Sequence, residues 1–111
     1  MLQEKISCGS LSINPVLRQV HNQAQLICLS KLEFDLLLYL MRHANQICSY
    51  EQLLKEVWLH QPCHTPDATI VRLALCRLRK KLSHHSQNPF ALMTVREVGV
   101  YFKTSEPIET N

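Results

Sequence analysis

Glycine is scarce in this 111-residue chain, with two in all, and no internal repeat or low-complexity tract interrupts it. With 46% hydrophobic residues that composition suits one domain around a single core, large enough to fold without staples. Long apolar runs are missing too: the longest, "FDLLLYLM", contains Asp35 and falls far short of the roughly 20 residues that cross a bilayer. The opening "MLQEKISCGS" lacks the sustained apolar stretch of a secretory leader, so an unexported, cytoplasmic protein without a membrane partner is expected. Cys8, Cys28, Cys48, Cys63 and Cys76 are odd in number and form no C-x-x-C pair, which argues against a disulfide framework and a ribbon-type zinc site.

What is present is unevenly spread. The net charge is +3; residues 1–64 balance five basic against five acidic side chains, whereas residues 65–103 carry seven against two. A positive field confined to one C-terminal segment points to a polyanionic partner.

The first 29 residues hold short extended runs separated by "CGS", "NP" and "HNQA". They predict four antiparallel strands near 4–8, 11–14, 17–21 and 25–29. At Ser30 the period changes. Ser30 and Glu33 have the spacing of a capping box, and Leu32, Leu36, Leu37, Tyr39 and Leu40 recur at helical spacing, predicting a helix over about 31–43. Ser49 through Gln52 repeats the box before a second helix over about 50–58, with Leu53, Leu54, Val57 and Trp58 as its apolar stripe. Thr65, Pro66 and Asp67 supply the N-cap, first-turn proline and first-turn acid of a third helix over about 66–82. "ALMTVREVGVYFKT" reads as a hairpin over 91–103 whose three-residue turn takes its left-handed residue from Gly99. Residues 1–103 form the expected domain, and 104–111 a polar, frayed tail.

At 100° per residue, Val71, Ala74, Leu75, Leu78 and Leu82 share one side of the third helix and face the core. The other side presents Thr69, Arg72, Leu73, Cys76, Arg77 and Lys80, with Arg79 and Lys81 on its flanks. A solvated surface is the ordinary fate of such charges, but it does not account for apolar Leu73 and Cys76 among the cations. "RLRKK" as a nuclear localisation signal is disfavoured because a core leucine interrupts it. A major-groove interface accounts for both sets: Arg72 and Arg77 donate to guanine edges or phosphates, and Thr69, Leu73 and Cys76 approach thymine methyls. Arg96, at the end of a hairpin strand, would meet the adjacent minor groove or a phosphate.

Other chemistry finds less support. His60, Cys63 and His64, with His84 and His85, hold candidate zinc ligands, but the two groups flank a helix about 25 Å long and the local set lacks a fourth ligand. Cys63 beside His64 has no third group and no oxyanion-stabilising glycine turn, so an enzyme is not expected. No cofactor is expected either. Trp58 and the leucines of the first helix read as core.

Three stretches carry a resemblance over about residues 9–103: "LSKLEFDLLLYLMRHANQICSYEQLLKEVW", "ATIVRLALCRLRKKL" and "TVREVGVYF". In order and spacing they resemble the OmpR/PhoB-type winged helix-turn-helix effector domain of bacterial response regulators, with its E-F-x-L-L and L-R-x-K-L cores. The resemblance implies an α+β fold: an N-terminal four-stranded sheet, three helices and a C-terminal wing. It also implies a double-stranded DNA reader in the third helix, an RNA polymerase contact through the loop 59–65, and a homodimer or tandem pair on direct repeats. Carried over by position, its groove-facing residues fall on Thr69, Ala74, Cys76, Arg77 and Arg79, and its wing contacts on Thr94 and Arg96.

There are departures. Thr69, Ala74 and Cys76 stand where many members carry Arg or His, which implies fewer long donors and a different, more T-rich target. Glu97 replaces the first glycine of the wing turn and sets an anion beside Arg96, and Val100-Tyr101 reverses the usual order after Gly99. No receiver domain with its phosphorylated aspartate is present, so the chain reads as the effector half of a longer regulator, in preference to a stand-alone one. The competing expectation is a winged-helix module that has lost DNA binding and docks a protein instead.

Overall fold

A computed structural model describes residues 5–58, 68–82 and 90–110. The chain opens with a meander of four strands: β1 (Ile6–Cys8), β2 (Leu11–Asn14), β3 (Gln19–Asn22) and β4 (Gln25–Ile27). Alternation sets their sidedness, burying Ile6, Cys8, Leu11, Ile13 and Val20 while Ser7 and Ser12 point the other way. β3 begins two residues later than the spacing predicts. Asn14 Oδ1 accepts from the Val16 and Leu17 amides, both at 3.0 Å, and Arg18 at φ 53° ends the turn, so the extended run starts at Gln19. Gln23 and Ala24, both at positive φ, make the two-residue β3–β4 loop without a glycine.

Helix α1 (Lys31–Arg42) starts with the expected box: the Glu33 amide donates to Ser30 Oγ at 3.2 Å and the Ser30 amide to Glu33 Oε1 at 3.0 Å. It buries Phe34, Leu36, Leu37, Leu40 and Met41. After β5 (Cys48–Ser49) comes α2 (Tyr50–Glu56), shorter than expected, with Val57 as its C-cap and Trp58 buried beyond it. The second box is half made. Ser49 Oγ accepts from the Gln52 amide at 3.0 Å, but the Gln52 side chain donates instead to Tyr39 Oη at 2.6 Å, joining α2 to α1.

Helix α3 (Ala68–Leu82) packs against both earlier helices through Val71, Ala74, Leu75, Leu78 and Leu82, the five residues its periodicity assigns to the core. The predicted N-cap Thr65, with Pro66 and Asp67, lies outside the described residues, as do the loop 59–65 and the histidines at 60, 64, 84 and 85. The hairpin β6 (Phe90–Val95) and β7 (Gly99–Thr104) follows, and a last short strand, β8 (Glu109–Thr110), closes the chain.

The strands form two antiparallel sheets, β4-β3-β2-β1-β8 and β5-β7-β6. The first corrects the expectation of a frayed tail: β8 pairs with β1, Ser7 opposite Glu109 and Ile6 opposite Thr110, so the N-terminal sheet has five strands. The tail is held because Thr104 Oγ1 accepts from the Glu106 amide at 3.0 Å and turns the chain, while Ile108 packs on the core. A row of polar letters hides one apolar anchor and an open strand edge that gains from pairing.

The hairpin turn corrects a second expectation. Its left-handed residue is Glu97, at φ 64°, and the Val98 amide donates to the Val95 carbonyl at 2.9 Å. Gly99 is needed for space: a Cβ there would lie 2.1 Å from the Cys48 carbonyl oxygen on the neighbouring strand. That contact lets β7 lie on β5, with Val100 opposite Cys48 and both buried, and Phe102 fully buried further along. Among the described residues, no helix is long and apolar enough to cross a membrane.

Candidate nucleic-acid interface

Six residues of α3 are exposed, Thr69, Arg72, Leu73, Cys76, Arg77 and Lys80, and they are the six that helical periodicity places opposite the core. Leu73 keeps 49% of its surface open although it is a large aliphatic side chain. Ala74, which the family resemblance put among the groove-facing positions and the periodicity in the core, is in the core at 8% exposure.

Within that arc the residues separate by angle. Thr69, Leu73, Cys76 and Lys80 form its centre, Arg72 and Arg79 lean to one side, and Arg77 and Lys81 to the other. The contacts follow this division. On the first side the Arg72 guanidinium carbon lies 5.2 Å from the centre of the Tyr50 ring, at the start of α2. Arg79, half-buried, donates from Nε to the Leu92 carbonyl at 2.9 Å and from Nη2 to the Thr94 hydroxyl at 2.6 Å, both on β6. Arg79 and Thr94 were separate site candidates in the sequence, and the structure makes them partners. On the other side Arg77 borders a cleft of about 120 Å³ shared with Ser30, Leu32 and Trp58. One turn on, Lys81 Nζ donates to Glu33 Oε1 at 2.6 Å.

Glu33 is buried, at 4% exposure, and three donors converge on it or its cap. Burial alone would raise its pKa. The hydrogen bond from Lys81, the Ser30 amide, the charge of Lys81 and the Ser30 hydroxyl outweigh that, and the carboxyl titrates below its ordinary value. Capping spacing finds Ser30 and Glu33 in the sequence, but nothing local announces Lys81 as a partner 48 residues away. The Arg72–Tyr50 and Arg79–β6 contacts are equally absent from local pattern, since each joins elements that only the tertiary fold brings together.

The hairpin projects beside this face. Arg96 follows the last residue of β6 and is exposed, as are Glu97 and Val98, so the turn offers one cation next to one anion and an apolar tip. Among the described residues no group of three His, Cys, Asp or Glu side chains is placed to hold a metal ion, and the zinc candidates His60, Cys63, His64, His84 and His85 lie outside those residues.

Three helices on an N-terminal sheet, with a solvent-facing third helix and a β-hairpin beside it, define a winged helix-turn-helix domain. Comparison with known proteins makes the assignment specific. Residues 23–102 match the family described as "Transcriptional regulatory protein, C terminal". The chain is 36% identical over 104 residues to the DNA-binding response regulator MtrA of Mycolicibacterium smegmatis, which covers 94% of this chain and 44% of that protein. It therefore spans less than half the length of the curated relatives it matches. Among solved structures, the RstA DNA-binding domain of Klebsiella pneumoniae, determined in complex with the RstA box, superposes with a TM-score of 0.74 at 39% identity, covering 89% of this chain and 96% of that one. The response regulator DrrB of Thermotoga maritima, an OmpR/PhoB homolog, superposes with a TM-score of 0.74 at 27% identity, over 89% of this chain and 44% of that one. The chain belongs to the OmpR/PhoB-type family of transcriptional regulatory C-terminal domains.

Proposed function

We propose that this domain binds double-stranded DNA sequence-specifically and so regulates transcription, with α3 in the major groove and the β6–β7 wing on the adjacent minor groove or backbone. The observation that carries the reading is the solvent arc of α3: uncharged Thr69, Leu73 and Cys76 along its centre line, which ends on Lys80, with cations on both sides. A solvated helix face has no use for a half-exposed leucine at the middle of its basic surface. A groove-bound helix has, because base edges present thymine methyls as well as hydrogen-bond groups. Arg77 beside that line and Lys80 at its C-terminal end supply long donors, Arg79 and Thr94 fix the wing against the helix, and Arg96 extends the cationic surface to the wing turn.

Two further elements belong to the same reading. Copies of the domain bind in tandem on direct repeats, and the segment 59–65 contacts RNA polymerase. The RstA domain solved with its DNA box, at 39% identity, supports the DNA partner. A reader of chromosomal sites acts in the bacterial cytoplasm. Relatives more than twice as long support a larger regulator of the two-component type around this domain.

Selection of binding sites from a random duplex library at near-physiological salt tests the proposal, run beside Arg77→Ala. Enrichment of a spaced direct repeat, relaxed at one base position in the variant, is the expected result. No enrichment from a demonstrably folded domain would overturn it in favour of a protein-docking module.

A further inference from the structure

Of the α3 cations, Arg72 has an unusual anchor. Lys81 is neutralised by Glu33 and Arg79 is hydrogen-bonded to β6, but Arg72 is exposed and, among the described residues, sits against no carboxylate. Its guanidinium instead lies over the ring of Tyr50, 5.2 Å from guanidinium carbon to centroid. Tyr50 is half-buried, packs against the core, and follows Ser49, which pairs with Gly99 of β7. The ring is thus a fixed platform at the junction of α2 and the wing sheet. Its hydroxyl is buried and finds no hydrogen-bond partner among the described residues, so what this tyrosine offers Arg72 is the face of its ring.

A guanidinium held over a ring face leaves N–H groups available, and that contact limits the conformations it must give up on binding an anion. Arg72 also leans toward the α2 and wing side of the arc, away from Thr69 and Cys76 at its centre. A donor there faces the wall of a groove, where the sugar-phosphate chain runs, more than its floor.

We infer that Arg72 is a phosphate clamp pre-positioned by Tyr50, and that Tyr50 is a positioning residue for DNA binding. This rests on the DNA-binding reading above and deepens it. It assigns Arg72 to sequence-independent grip and leaves base discrimination to the centre of α3 and Arg77. An arginine so held adds affinity equally to operator and non-operator duplexes, with one more phosphate's worth of salt dependence.

The test uses the full 111-residue chain and measures affinity for a selected duplex and a scrambled one of equal length, each at several salt concentrations. Arg72→Ala is expected to weaken both duplexes by the same factor, roughly fivefold, and to reduce the slope of log K against log salt by about 1. Tyr50→Leu is expected to weaken both about threefold, to add nothing in the Arg72→Ala background, and to be rescued by Tyr50→Phe, which keeps the ring. Melting curves establish that each variant is folded. Should Tyr50→Leu fail to fold, Arg72→Lys carries the test, since it keeps the charge and loses the guanidinium; undiminished affinity of that variant would overturn the inference. So would an Arg72→Ala loss confined to one base position, or a Tyr50→Leu loss that adds independently to that of Arg72→Ala. Absence of any duplex binding by the unaltered domain would overturn the DNA reading itself, and the clamp with it.

Discussion

Arg79 and Thr94 lock α3 to the β6–β7 hairpin. The arginine's Nη2 meets the threonine hydroxyl at 2.6 Å while its Nε meets the Leu92 carbonyl at 2.9 Å, so one planar group bridges two residues of the same strand. Those donors hold the angle between helix and hairpin, which sets whether both reach one duplex. Arg79→Ala should lower stability by about 1 kcal/mol, the net worth of such bonds where water replaces them. It should also loosen β6 selectively. Arg79→Lys should not restore the link, because one ammonium cannot reproduce the fork. Chemical denaturation with hydrogen exchange at the β6 and β7 amides checks this; unchanged hairpin protection in Arg79→Ala would refute the lock.

The wing turn places an ordinary residue where glycine is favoured, and glycine where space is short. Glu97 has φ 64°, a conformation that costs a side chain roughly 1 kcal/mol. Glu97→Gly should therefore raise stability by about 0.5–1 kcal/mol, and in removing the acid beside Arg96 it should tighten DNA binding, more so at low salt. Gly99→Ala should act oppositely, destabilising by about 3 kcal/mol, since the added Cβ meets the Cys48 carbonyl at 2.1 Å. Thermal melts of the two variants decide the matter. A neutral Gly99→Ala would mean that β5 and β7 separate without cost.

Much of this architecture was legible because its signals are local. The capping pair Ser30–Glu33, the period-3.6 stripes of α1 and α3, and the six exposed residues of α3 all follow from spacing along one element. What escaped was of two kinds. Turn geometry was misassigned because the rule that glycine takes positive φ is statistical, and here the β5–β7 approach had already claimed Gly99. Long-range partners were invisible because Lys81–Glu33, Arg79–Thr94 and β8–β1 join residues that only packing brings together. The candidate site could be read as a set of exposed residues, but not as a central line with anchored flanks, since anchoring is a property of Tyr50, Thr94 and Glu33 on other elements.

Glu33 gives the fold an acid-sensitive point. Lys81 and the Ser30 cap favour its charged form over the opposing effect of burial, so it ionises at lower pH in the folded chain than in the unfolded one. Its contribution is therefore fully present above the ordinary glutamate pKa of about 4.3 and is lost as pH falls through the lower, folded value. Glu33→Gln should be less stable than the parent near neutral pH, and the difference should shrink steadily below about pH 4. Denaturant midpoints of both proteins between neutral pH and strong acid provide the measurement. Parallel pH profiles would show that Lys81 and the cap do not hold the carboxylate.

Cysteine reactivity maps the proposed interface without altering it. Cys28 and Cys76 are exposed, whereas Cys8 and Cys48 are buried. Burial pushes the Cys48 thiol up, and it does the same at Cys8 despite the opposing hydrogen bond with Thr104. Thiolate is the reacting species, so Cys8 and Cys48 should label only when the chain opens, and Cys28 and Cys76 promptly. Cys76 lies at the centre of the α3 arc, and Cys28 just past β4 on the N-terminal sheet. A duplex seated on α3 should therefore protect Cys76 by tenfold or more while leaving the Cys28 rate unchanged, the contrast that separates site occupancy from general shielding; a factor of about ten corresponds to near-complete occupancy of the site. Peptide-resolved labelling with a neutral alkylating reagent, with and without the selected duplex, reads both sites in one sample. Equal rates at Cys76 with and without saturating duplex would remove α3 from the groove, whatever affinity the domain shows for DNA.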